Sequence, residues 1–159
     1  MNVELIRCSP SANDSEEICF SRFERELKSS QGEGEWILLA NLHFSYNNER
    51  QSDEIDMIAI GPSGITVIEI KHWSADWMDQ NQSVVAQEAE KISDKAKRIA
   101  GKLKGIDNRP FVNQVFVLTQ DKSKVAAKLG SVEKGVRFHG LDDWYAAINF
   151  AASPTLDRS

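Results

Sequence analysis

The sequence predicts a three-layer α/β/α domain, and three observations carry that expectation. Apolar runs suited to buried strands alternate with helical stripes, in the order helix, three strands, long helix, strand, and then a small helix-strand-helix extension. Both sides of the central strands are apolar, with Ile55, Met57 and Ala59 alternating with Ile58 and Ile60, so layers must cover the sheet on both faces. Finally, 159 residues that are 41% hydrophobic and 27% charged, with 9 Gly and 4 Pro, suffice for one core. That composition excludes disordered, collagen-like and disulfide-scaffold chains.

Each element has a local reason. Residues 13–30 read as a helix, with Asn13 or Ser15 as N-cap, Glu16 and Glu17 in the first turn, and Phe20, Phe23 and Leu27 at i, i+3 and i+7. A turn at Gly32 and Gly34 leads into an apolar strand from Trp36 to Phe44, which ends in the polar loop Ser45 to Ser52. Glu54–Ile60 and Ile65–Lys71 flank Gly61-Pro62-Ser63-Gly64 and read as a hairpin. Val85, Ala89, Ile92, Ala96, Ile99 and Leu103 form one stripe of a long helix over 82–104. Pro110 introduces a strand over Phe111–Leu118, and a short helix near Ser123–Leu129, a strand around Val136–Phe138 and a helix over Leu141–Phe150 follow. Residues 1–150 therefore read as a single domain, and 151–159 have the character of a tail or linker leading to further domains.

Other classes drop out. No apolar stretch is long enough to cross a membrane, and the start has no basic region followed by an apolar one. Cys8 and Cys19 form no CxxC and have no neighbouring His, which suits a reduced, cytoplasmic protein better than a disulfide framework or a zinc site. The net charge of −5 argues against a general nucleic-acid coat but not against one basic face.

The hairpin is where chemistry concentrates. With a four-residue loop Gly61–Gly64, Ile60 faces Ile65, Asp56 faces Glu69 and Glu54 faces Lys71. The two carboxylates then meet with Cβ atoms about 5 Å apart, at the edge of an apolar surface. Like charges so placed need a cation or a shared proton, and two hard oxygen ligands with open positions suit Mg²⁺ or Mn²⁺ and a phosphate substrate. Lys71 lies on the same face, about 7 Å along the strand, where an ammonium can hold a scissile phosphate. The plainer alternative is a set of solvated strand ends, with Glu54 and Lys71 as a cross-strand ion pair of little net worth.

Two further features are open in the same way. Lys91, Lys95, Arg98 and Lys102 recur at helical spacing and either face phosphates or form the solvated back of a helix. Trp73 and Trp77 either stack on bases or pack the loop against the core. His72 points away from Lys71, toward the surface.

The block Glu54-Ile55-Asp56-Met57-Ile58-Ala59-Ile60, the turn Gly61-Pro62-Ser63-Gly64-Ile65, and Val67-Ile68-Glu69-Ile70-Lys71 with His72-Trp73-Ser74 resemble the nuclease-related domain (NERD) of the PD-(D/E)XK nuclease superfamily. With the element order, the resemblance covers roughly residues 13–120. It implies a restriction-endonuclease-like α-β-β-β-α-β core and a Mg²⁺- or Mn²⁺-dependent deoxyribonuclease. Asp56 and Glu69 then resemble the metal-binding acids, the carbonyl of Ile70 completes the site, and Lys71 resembles the catalytic lysine. Glu17 fits the family's first-helix glutamate by its spacing to Phe20, Phe23 and Leu27, and Glu16 fits it less well; the alternative is a first-turn acid that complements the helix dipole. Gln87 fits the glutamine near the start of the long helix, with Trp73, Lys91 and Lys95 as further substrate contacts. Ala75 stands where a glycine is common, and the proline often seen before that glutamine is missing. The resemblance also implies DNA as partner and larger architectures that include fusions to kinase or helicase domains, while the sequence leaves open a homodimer and a place in defence. A second reading is an inactive nuclease-like module that binds nucleic acid or targets a regulatory or defence protein.

Overall fold

The computed structural model describes residues 2–10, 13–29, 34–45, 52–62, 64–103 and 112–148. Its strands are β1 (Asn2–Arg7), β2 (Glu35–Ser45), β3 (Ser52–Gly61), β4 (Gly64–Lys71), β5 (Val112–Leu118), β6 (Val132–Glu133) and β7 (Val136–Gly140). They form one mixed sheet in the order β1-β2-β3-β4-β5-β7-β6. β2, β3 and β4 are an antiparallel meander, β4, β5 and β7 run parallel, and β1 lies parallel to β2 at one edge. The helices are α1 (Asp14–Ser29), α2 (Ala75–Gln80), α3 (Gln82–Leu103), α4 (Lys122–Val125) and α5 (Trp144–Ile148).

The three layers follow from the apolar stripes. Phe20, Phe23 and Leu27 of α1, joined by Trp144 of α5, pack on Leu38, Ala40, Met57 and Ile68. On the opposite face Val85, Ala89, Ile92, Ala96 and Ile99 of α3 cover Ile58, Val67, Phe116 and Phe138. Each of the larger of these side chains contributes about 1.5–3 kcal/mol of burial, and α/β/α is the arrangement that buries both faces. Asn13 is the cap of α1, its Oδ1 accepting the Glu16 N–H at 3.0 Å. Among the described residues no helix is long and apolar enough to cross a membrane.

Several expected boundaries change. β1 was not expected at all, since its alternation is short and mostly exposed. Ser74 caps the unexpected α2, its Oγ accepting the Trp77 N–H at 3.1 Å. The helix expected near 123–129 is α4, one turn long. The strand expected at 136–138 extends to Gly140 and pairs with β6 through Lys134 and Gly135, both at positive φ. The last helix is described from Trp144 to Ile148. In the β3–β4 hairpin the Ile60–Ile65 register is as expected, but Gly61 also pairs with Gly64, so the connection is two residues rather than four. Gly61 has a packing reason: a Cβ there would fall 2.2 Å from the Trp36 ring. The turn at 30–33, the loop 46–51, the connection 104–111 with Pro110, and the tail 149–159 lie outside the described residues.

Candidate metal and phosphate site

The site forms where the sheet stops pairing. The β3–β4 ladder runs from Gly61–Gly64 to Met57–Ile68 and ends there, so the expected Asp56–Glu69 backbone pair is not made. Instead Asp56 reaches across the opening, and its Oδ2 accepts the Ile70 N–H at 2.8 Å. A residue of an extended strand sends its N–H and C=O to the same neighbour, so the Ile70 carbonyl faces the same gap.

A distortion in β2 turns Asp56 sideways. Asn41 has φ 53°, a left-handed conformation that Asn tolerates better than most residues. It is tied to the preceding loop by Nδ2 donating to the Pro10 carbonyl at 3.0 Å and by Ser9 Oγ donating to its own carbonyl at 2.9 Å. The β2–β3 pairs run on both sides of Asn41 but skip the Asn41–Asp56 position. Alternation slips there: Leu38, Ala40 and Met57 face α1, whereas Leu42 and Ile55 join the α3 side. Asp56 sits at the slip, between the two faces.

The electrostatics are those of a crowded acid pair. Glu69 is buried. Burial, and next the Glu69 charge, push Asp56 up to about 7, against the lowering effects of the Ile70 N–H and of Lys71. The compensating cations come from β4 and α3. Lys95 Nζ lies 3.0 Å from Glu69 Oε1. Lys71 Nζ lies 3.6 Å from Glu88 and 5.3 Å from the centre of the Trp73 ring. The expected Glu54–Lys71 pairing is therefore not made: Glu54 is exposed, 3.9 Å from His43, because β3 has already diverged from β4 at that level.

The α1 carboxylate at the site is Glu16 rather than Glu17. Glu16 is buried, and with Asp56, Asn41, His43 and Glu54 it lines a cavity of about 180 Å³. Glu17 turns about 100° further round the helix and meets Arg7 of β1 at 2.5 Å. The sequence carries too weak a signal for β1 to place an arginine beside Glu17.

Other expected residues divide. Gln87 is exposed on α3, and it is its neighbour Glu88 that reaches Lys71. Lys91 lies 3.8 Å from Glu88 with its end in solvent. Lys95 and Arg98 turn onto the sheet, Arg98 making two 2.8 Å hydrogen bonds to the buried Asp53. Trp73 stacks on Trp77 at 5.1 Å and tilts against Phe116, so it packs the loop on the core, with its ring beneath Lys71. His72 points to Thr119 Oγ1 at 2.7 Å. Glu88 and Asn41 are the additions that sequence reasoning did not make. An Asn interrupting an apolar strand was the available signal for the second.

The donors a metal ion would find are the Asp56 and Glu69 carboxylates and the Ile70 carbonyl. Among the described residues no three His, Cys, Asp or Glu side chains gather as a ligand set. A larger cavity of about 310 Å³ lies at the ends of β5 and β7, lined by Thr119, Asp121, Leu141 and Asp143 among others, away from the acids.

Compared with protein-family models, residues 13–119 match that of the nuclease-related domain, NERD. The matched span runs from the cap of α1 to the residue after β5, and so includes Glu16, Asp56, Glu69, Lys71 and all of α3. A search of curated proteins finds no match.

Proposed function

The chain belongs to the nuclease-related domain family, and from that premise we propose that it is a metal-dependent nuclease domain hydrolysing phosphodiester bonds in DNA. The observation that carries this reading is the acid pair at the open end of the hairpin, where Asp56 is pushed up to about 7 beside the buried Glu69. Such a pair costs the fold stability, and a divalent cation turns the cost into binding.

The donors fit Mg²⁺ or Mn²⁺. Two carboxylates and one carbonyl are hard oxygen ligands, too few for a closed protein cage, which leaves positions for water and phosphate oxygens. Bound there, the ion would supply Lewis-acid charge and an acidified water. Lys71, held by Glu88 above the Trp73 ring, presents a positive charge at the same edge, where it orients the phosphate and stabilises charge developing on it. Glu16 lines the small cavity together with Asp56, where its carboxylate would accept a hydrogen bond from an entering water. Lys91, exposed on the adjoining helix, meets flanking phosphates, and Gln87 lies beside it.

The test is plasmid nicking by the purified protein in Mg²⁺ or Mn²⁺, beside Lys71→Ala and an EDTA control, with Mn²⁺ titrated by calorimetry on the same samples. Lys71→Ala should lose about 100-fold or more in nicking rate while keeping Mn²⁺ affinity within a few-fold, and EDTA should abolish cleavage. Cleavage that survives EDTA overturns the metal-dependent reading. Metal binding without cutting of single- or double-stranded DNA replaces it with the non-cutting, nucleic-acid-binding module.

A further inference from the structure

Two basic side chains of α3, Lys95 and Arg98, turn onto the sheet rather than into solvent, and Lys95 meets the acid pair. Lys95 Nζ donates to Glu69 Oε1 at 3.0 Å and to the backbone carbonyl of Glu54 at 2.7 Å. Both side chains of that ion pair are largely buried, 19% and 10% exposed. One turn along, Arg98 grips Asp53 through two hydrogen bonds. The helix is thus fastened to the outer end of β3 at Asp53 and Glu54, where the β3–β4 ladder no longer holds that strand. Lys95 spans the opening the ladder leaves, with one contact on β3 and one on β4.

An ammonium between a carboxylate and a carbonyl oxygen sits in the kind of oxygen-lined position that a hard divalent cation takes. It also answers the question the acid pair poses, because a cation or a shared proton must offset Asp56 and Glu69 when no metal is bound, and above the range of the shared proton a cation is left. Lys71 also acts on Asp56, but its ammonium is held by Glu88 and the Trp73 ring, and Lys95 is the cation in hydrogen-bond contact with Glu69. A divalent ion and an ammonium on the same Glu69 oxygen repel at that separation.

We propose that Lys95 is the built-in counter-cation of the Asp56–Glu69 pair, and that a divalent cation reaches Glu69 by displacing it. This rests on the metal-dependent reading above. Lys95 then has two positions. It is seated on Glu69 in the metal-free protein, and it is released toward the mouth of the site when the ion enters, adding a positive charge where a phosphate arrives. Metal binding and phosphate binding are coupled through one side chain.

The experiment is calorimetric titration of Mn²⁺ into the whole chain at one fixed, mildly alkaline pH, with metal-free thermal melts on the same samples. Wild type is compared with Lys95→Met and Lys95→Arg; where Lys95→Met does not fold, Lys95→Gln takes its place. One charge at hydrogen-bond distance changes the affinity of a carboxylate for a competing cation by about tenfold or more. Lys95→Met should therefore bind Mn²⁺ about tenfold tighter than wild type while melting lower without metal, and Lys95→Arg should stay near wild type in both. Wild-type binding with no tightening in Lys95→Met overturns the proposal and leaves Lys95 a brace between strands, whatever the melting temperature does. Absence of Mn²⁺ binding in wild type and variant alike overturns the metal-dependent reading itself, and this proposal with it.

Discussion

Replacing Asp56 by Asn should stabilise the metal-free protein, and by an amount that depends on pH. The Asp56 carboxyl moves from 3.8 to about 7 on folding, first because it is buried and next because Glu69 stands beside it. At about 1.36 kcal/mol per pH unit, that difference gives a ceiling of about 4 kcal/mol. A group whose folded value is raised adds stability that is fully present below its unfolded value and is lost as pH rises to the folded one. The wild type should therefore lose stability between about pH 4 and pH 7, and Asp56→Asn should not lose this part. The Asn oxygen can still accept the Ile70 N–H, so the 2.8 Å hydrogen bond to the hairpin survives. Lys95, 3.0 Å from Glu69, already relieves part of the repulsion, and Asp56 itself keeps some contact with water, which screens the effect, so about half the ceiling, about 2 kcal/mol, is expected at pH 8 and almost none at pH 4. For a chain of this size that is a rise in Tm of roughly 4–8 °C. The assay is thermal melting of EDTA-treated wild type and Asp56→Asn at the two pH values. Added Mn²⁺ should then raise the wild type alone, since it binds only the intact pair. A metal-free Asp56→Asn that melts at or below wild type at pH 8, or a gap that is the same at both pH values, refutes the reasoning.

Two other substitutions separate the site from the scaffold. Glu16→Gln should lower the nicking rate by at least about tenfold, whereas Glu17→Gln, which loosens exposed contacts with Arg7 and Ser21, should leave rate and stability within experimental error. Phe23→Ala removes a fully buried ring that lies 3.9 Å from Trp144; it should cost about 3–5 kcal/mol and lower Tm on the order of 10 °C, with the residual folded fraction keeping its Mn²⁺ affinity.

What the sequence made legible was whatever depends on period. The stripe from Val85 to Ile99, the Phe20–Phe23–Leu27 face and the apolar strands follow from side-chain spacing alone, and with them the three layers and the Ile60–Ile65 register. What stayed hidden depends on neighbours distant in sequence. Spacing along α1 favours Glu17 over Glu16 until β1 supplies Arg7, and a parallel edge strand of six mostly exposed residues leaves little trace in composition. The face of α3 that meets the acids was similarly undetermined. Lys95 and Arg98 are four and seven residues beyond Lys91, yet they turn inward while Lys91 reaches solvent, because Glu69 and Asp53 wait opposite them. A regular hairpin register brings Asp56 and Glu69 together by carrying the ladder on to Asp56, whereas in the structure a carboxylate replaces the ladder there and takes the backbone N–H itself.

That replacement explains why the acids are tolerated. An antiparallel pair that continued past Met57–Ile68 would use the Ile70 N–H and C=O in backbone hydrogen bonds, and no oxygen would be left to face an ion. Ending the ladder early frees the carbonyl but leaves two strands to be held by something else. The side chains that hold them, Asp56 on Ile70, Lys95 between Glu54 and Glu69, and Arg98 on Asp53, are all charged, and all lie at the open end. The same substitution of side chain for backbone thus opens the hairpin, gathers the charges and sets the cation requirement. Asn41 is its counterpart on β2, where a left-handed residue skips one pair and lets Asp56 face sideways. Restoring a regular ladder through these strands would strengthen the sheet and close the only gap among the described residues into which Asp56, Glu69 and the Ile70 carbonyl converge.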